Sequence, residues 1–168
     1  MIHVCSLSRL HETVAATGAR HVVTLLKDVE LVQRPGGIMA ENHLILGMDD
    51  ITGPLDGYVT PADEHVTKLL DFVRSWDRAA PMVMHCYAGI SRSTAGAFVA
   101  ACALNPHRDE MTIARELRLA SPTATPNFRL VALADHALGR CGRMTTAIEQ
   151  IGRGAMAFEA DPFRLDVE

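Results

Sequence analysis

The chain has 168 residues, 48% apolar and 21% charged, with a formal net charge of −4 at pH 7. That length suits one domain, 1–168, with a core of its own, and the mild acidity without any basic block excludes a surface built for nucleic acid or an anionic membrane. Four scattered cysteines without a C-x2-C pair, single histidines without ligand spacing, and a longest apolar run (94–104) of about half a bilayer span argue against a metal, a cofactor or a membrane segment.

The opening MIHVCSLSRL lacks a charged region followed by a long apolar stretch. No secretory leader is expected, and the setting expected is cytoplasmic and reducing. Residues 2–6 suit a short strand and 21–26 a stronger, β-branched one. Between them 9–17 suit a short helix capped by Ser8. Residues 28–42, with Pro35-Gly36-Gly37, read as a loop, and 43–48 as a third strand before the turn-rich stretch 49–60.

Thr60-Pro61-Ala62-Asp63 has the pattern of a helix start, with Thr60 as cap and Pro61 at the first position. Val66, Leu69, Leu70, Val73 and Trp76 then fall on one helical face. Pro81 to Met84 form a short apolar run, read as a buried central strand, with Met82 and Met84 in the core. Residues 93–104 are apolar nearly all round, as a helix in mid-domain would be. Amphipathic helices are predicted over 109–120 and 127–138. The stretch 140–168, part helix and part extended and with Phe158 and Phe163 amid acids, is expected to pack back on the domain as an extension. Strands alternating with helices predict an α/β fold, a central mixed or parallel sheet flanked by helices, with a helical C-terminal half.

One segment carries chemistry: His85-Cys86-Tyr87-Ala88-Gly89-Ile90-Ser91-Arg92-Ser93, at the junction of the buried strand and the buried helix. A loop wrapping onto a helix N-terminus gathers backbone N–H groups in one concavity, where the helix dipole adds positive charge. Tyr87, Ala88, Gly89, Ile90 and Ser91 would form that cradle, and Gly89 supplies backbone freedom. Arg92 offers a planar fork matching two phosphate oxygens. The same field favours a thiolate at Cys86, which suits two-step nucleophilic catalysis through a cysteinyl phosphate. His85 would fix the loop, and Ser93 would donate a hydroxyl hydrogen bond to the sulfur.

HCYAGISRS resembles the H-C-x2-G-x2-R-[ST] signature of the protein tyrosine phosphatase superfamily. The short chain looks most like its small dual-specificity-type members. The likeness in element order extends over most of 1–139 but is sharp only at 85–93. Pro126-Asn127 is similar to a pair that many such enzymes carry, so Asn127 is read either as a helix cap or as a residue that orients the loop. The resemblance implies a general acid on a loop upstream. Asp50, just after the third strand, is the choice, with Asp56 and Asp49 as alternatives. It also implies a phosphorylated protein or peptide as substrate, phosphotyrosine first, because no variable loop position is basic as in enzymes acting on inositol phosphates and phosphoinositides. A non-catalytic phosphate-binding module and a sulfur-transfer or arsenate-reducing enzyme are the rival classes. Cys5, Cys102 and Cys141 are expected to be packing residues and Arg34 a solvated loop residue, while His43 and His65 have no partner that the sequence identifies.

Overall fold

The computed structural model describes residues 1–167. Its strands are β1 (Ile2–Ser6), β2 (His21–Leu25), β3 (His43–Leu46), β4 (Met82–Cys86) and β5 (Phe163–Leu165). Its helices are α1 (Leu10–Thr17), α2 (Asp63–Ser75), α3 (Arg92–Leu104), α4 (Glu110–Ala120), α5 (Phe128–Ala137) and α6 (Arg143–Ile151), with single 3-10 turns at Val29–Leu31 and Ala40–Asn42. The sheet order is β3-β2-β4-β1-β5. The first four strands are parallel, and β5 closes the β1 edge antiparallel, with Val4 opposite Phe163.

Because β4 lies between β1 and β2, its C-terminal end opens where the strand order reverses, the usual ligand position in open α/β sheets. Side-chain alternation explains the two cores. Met82, Met84 and Cys86 face one layer with Ile2, Val4 and Val23, and Val83 faces the other with Cys5, Leu10 and Val22. Helix α1 covers the smaller layer. Helix α3 lies across the middle of the larger one, buried from Arg92 to Cys102, because Ala and Gly positions on the sheet side let it approach closely. Helices α2, α4, α5 and α6 surround it, with Leu69, Val73, Ile113, Leu117, Leu130 and Met144 buried between them.

Several local expectations are corrected. Ser8 is not the cap of α1: Arg9 stands there without a capping side-chain bond, and the Ser8 hydroxyl donates instead to the Glu159 carboxylate. Helix α2 starts after Ala62, two residues beyond the expected Thr60 cap, and His65 Nδ1 accepts the Ala62 N–H at 3.0 Å. His65 therefore has a partner, and so does His43, whose Nε2 lies 2.8 Å from Thr24 Oγ1. Cys5 and Cys102 are buried as expected, but Cys141 is exposed in a left-handed turn at φ 53°. In the C-terminal stretch Phe163 is buried in β5, whereas Phe158 stands wholly in solvent.

Candidate active site

Strand β4 delivers His85 and Cys86, the loop 87–91 turns, and Arg92 begins α3. The loop's carbonyls are drawn outward by its surroundings. Tyr87 O accepts from Leu7 N–H at 3.0 Å, Ala88 O from Ala160 N–H at 2.9 Å, Ile90 O from Thr125 N–H at 2.9 Å and Ser91 O from Asn127 N–H at 3.2 Å. Across a planar trans peptide the next residue's N–H points opposite to the carbonyl. The N–H groups of Ala88, Gly89, Ser91 and Arg92 therefore turn to the inside of the loop, toward the start of α3, forming an anion nest.

Gly89 is required twice over. Its φ is +75°, and a Cβ there would lie 2.9 Å from Cys5 C and Ser6 N of the backbone of β1. The loop thus lies hard against the neighbouring strand, where only glycine fits.

Cys86 is buried, with its Sγ 3.1 Å from Ser93 Oγ. Arg92 is 8% exposed. Its Nη1 donates to Met48 O at 2.9 Å, which fixes the guanidinium, while its buried Nε has no hydrogen-bond partner. A buried cation with an unused donor, beside a ring of inward N–H groups, is the electrostatic complement of an oxyanion.

His85 is fully buried and its Nε2 lies 2.7 Å from Thr24 Oγ1, which also meets His43 Nε2. Burial pushes the His85 pKa down to about 4, so its ring is neutral near pH 7. One hydroxyl proton cannot serve two ring nitrogens, so one of the two histidines presents Nε2–H to Thr24. This chain of three side chains ties β4 to β2 directly below the loop.

Of the three candidate acids, Asp50 reaches the loop. Its Oδ1 accepts from Ser91 Oγ at 2.7 Å and from Asn127 Nδ2 at 2.8 Å. Asp49 turns away, accepting Val59 N–H at 2.7 Å and pairing with Lys27 at 3.4 Å. Asp56 is exposed and lines no part of the cleft beside the loop. Asn127 makes side-chain contacts through both ends of its amide. Its Oδ1 caps α5 by accepting Leu130 N–H at 3.1 Å, and its amide donates to Asp50. Arg34 is exposed and stands outside that cleft.

The cleft, of about 800 Å³, runs from Asp50 and Ser91 past Leu55 and Phe128 to Arg153 and Met156. Its far wall, the segment after α6, is a contribution that sequence reasoning missed, as were Thr24, Met48 and Glu159. Gly152-Arg153-Gly154 was the one local hint, since small residues after an amphipathic helix suit an extended, closely packed strand of chain. Among the described residues no group of three or more His, Cys, Asp or Glu side chains is gathered as a metal site would need, and no helix is long and apolar enough to cross a membrane.

The protein-tyrosine phosphatase family model matches residues 54–122, a span that holds β4, the loop and α3 but neither Asp50 nor Asn127. No curated protein matches the chain by sequence. Among solved structures, DUSP15 superposes with a TM-score of 0.64 at 14% identity, over 89% of this chain and 90% of its own. Human DUSP28 gives 0.63 at 16% identity, over 83% and 92%. The Cydia pomonella PTP-2 phosphatase gives 0.62 at 18%, over 80% and 84%. The fold is that of the cysteine-based phosphatases. Beyond that likeness of fold, residues 54–122 are similar in sequence to the protein-tyrosine phosphatase family.

Proposed function

We propose that this chain hydrolyses phosphate monoesters through a cysteinyl-phosphate intermediate, with phosphotyrosine in a protein or peptide as substrate. The observation that carries the reading is the pairing of the Cys86–Ser93 contact with the buried, half-satisfied Arg92 guanidinium at one helix N-terminus.

In the first step the phosphate enters the nest, with its oxygens facing the N–H groups of residues 88, 89, 91 and 92 and the guanidinium of Arg92. The Cys86 thiolate attacks phosphorus, the bond to the leaving oxygen breaks, and Asp50 gives its proton to that oxygen. In the second step the Asp50 carboxylate takes a proton from water. The resulting hydroxide attacks phosphorus, inorganic phosphate leaves, and the electron pair of the S–P bond returns to sulfur, where the Ser93 hydroxyl stabilises it. Asp50 regains its proton in the same step, so nothing is consumed but water. Asn127 and Ser91 hold the acid in place for both steps, and His85 holds the loop through Thr24. One feature favours an aryl ester: the variable loop positions 87, 88, 90 and 91 carry no cation for a second phosphate. The adjoining cleft mixes Leu55, Phe128 and Met156 with Asp50 and Arg153.

Turnover of para-nitrophenyl phosphate across pH, by the wild type and by Cys86→Ser, tests the reading. Expected are wild-type turnover indifferent to chelators and loss of at least about 10³-fold in the variant. Correctly folded, reduced wild type without turnover would overturn it.

A further inference from the structure

Residues 152–162 connect α6 to β5 without regular structure and run across the outside of the phosphate loop. The segment is pinned at both ends. Upstream, Arg118 donates to Ile151 O and Gly152 O at 2.8 and 2.7 Å, and Ala155 N–H donates to Pro122 O at 2.9 Å. Gly154 lies so close to Thr123 that a Cβ would come within 2.5 Å of its backbone. Downstream, the Glu159 carboxylate accepts from the hydroxyls of Ser6 and Ser8. The next residue, Ala160, bonds the loop itself at Ala88 O. Between these anchors Met156 and Phe158 stand in water, 82% and 103% exposed.

Holding two large apolar side chains in solvent on an anchored segment brings no folding gain, since their burial elsewhere would stabilise the chain. Their positions relative to the loop suggest the use. Met156 borders the cleft that contains Asp50 and Ser91. Phe158 borders a smaller cleft, of about 390 Å³, against Tyr87 and Ala88 on the other flank. A polypeptide that enters the loop at a phosphorylated residue and leaves again occupies both flanks, whereas a small phosphate ester has room to touch only one.

Resting on the reading above, the geometry points to residues 153–159 as the segment that selects substrate. Met156 takes an apolar side chain on one side of a phosphotyrosine, and Phe158 with Tyr87 takes one on the other. Because the segment is fixed before binding, little ordering cost opposes these contacts.

The test uses two phosphotyrosine peptides of equal charge, one with leucines on both sides of the phosphotyrosine and one with serines. For the full chain and for Met156→Ser/Phe158→Ser, kcat/KM is measured on each. The Kd of both peptides is measured on Cys86→Ser with and without the same two substitutions, which separates recognition from chemistry. Preference for the leucine peptide is expected to be roughly tenfold and to fall within about twofold in the substituted chains. A tenfold Kd ratio without turnover would sustain this inference while the phosphatase reading failed. Turnover with equal preference for the two peptides, a preference unmoved by the substitutions, or no binding of either peptide would overturn it.

Discussion

The side-chain amide of Asn127 lies 2.8 Å from the carboxylate of Asp50, although 77 residues separate them in sequence. The same asparagine accepts the Leu130 N–H at the head of α5, so the Asp50 carboxylate is tied to the rigid end of a helix. Asn127→Ala is expected to lower kcat about tenfold on alkyl phosphates, whose leaving oxygen needs the proton, and about twofold or less on para-nitrophenyl phosphate. Asp50→Asn should give the same pattern more strongly, about 10² to 10³-fold on alkyl phosphates. A purely structural Asn127 would depress both substrates equally, and that outcome would remove it from the proton path. Asp49→Asn and Asp56→Asn serve as controls, with turnover near wild type on both substrates.

Gly89→Ala sets a methyl group against the backbone of β1 at a residue whose φ is +75°. Strain and overlap act together, so a loss of at least about 2 kcal/mol is expected, seen as a fall in Tm of roughly 4–8 °C. Turnover should fall by more than about tenfold, because relief of the overlap must displace the N–H groups on either side. A variant with wild-type Tm and rate would show that the loop does not press on β1 as described.

The reach of sequence reasoning follows the distance over which each feature is determined. The loop at 85–93 was legible because strand, turn, arginine and helix start are contiguous, and local spacing alone sets their geometry. Helix α3 was legible for a related reason, as a run apolar on all sides has no place but the interior. The Arg92–Met48 bond spans 44 residues and the Ser6–Glu159 bond 153, and no pattern in the chain announces such pairs. The start of α2 was misplaced because no hydroxyl caps it: the helix opens after Ala62, whose own N–H is taken by His65 Nδ1 three residues in. Cys141 was misread although a local signal was present: Gly139-Arg140-Cys141-Gly142 is turn chemistry, and the residue indeed has positive φ.

Glu110 joins the C-terminal helices to the centre of the molecule. It is buried between Arg140 at 2.8 Å and the more exposed Arg143 at 3.1 Å, and Arg140 also donates to Cys102 O at the end of α3. Burial pushes its pKa up, but the Arg143 hydrogen bond and the charges of both arginines hold it below the ordinary value. Glu110→Gln leaves the Arg140 cation buried without its counter-charge. Urea unfolding is expected to show a loss of about 3 kcal/mol with turnover of the remaining folded protein unchanged. A loss under about 1 kcal/mol would mean that solvent reaches Arg140 readily.

His85 gives the fold a dependence on acid that can be read separately from catalysis. Its pKa falls from an ordinary 6.5 to about 4 on folding, through burial first of all. Between those values the unfolded chain binds more protons than the folded one, so stability is complete above about pH 6.5 and declines as pH drops toward 4. Other histidines shifted the same way, His3, His21, His43 and His65, add to the slope. The informative quantity is therefore a difference. His85→Gln keeps a polar group facing Thr24 without a titrating ring. Urea midpoints taken from pH 7.5 to 4.5 should give a wild-type slope steeper than the variant's by about 1 kcal/mol per pH unit below pH 6. Parallel slopes would mean that His85 protonates in the folded state as freely as in the unfolded one, and that the Thr24 bridge does not keep it neutral.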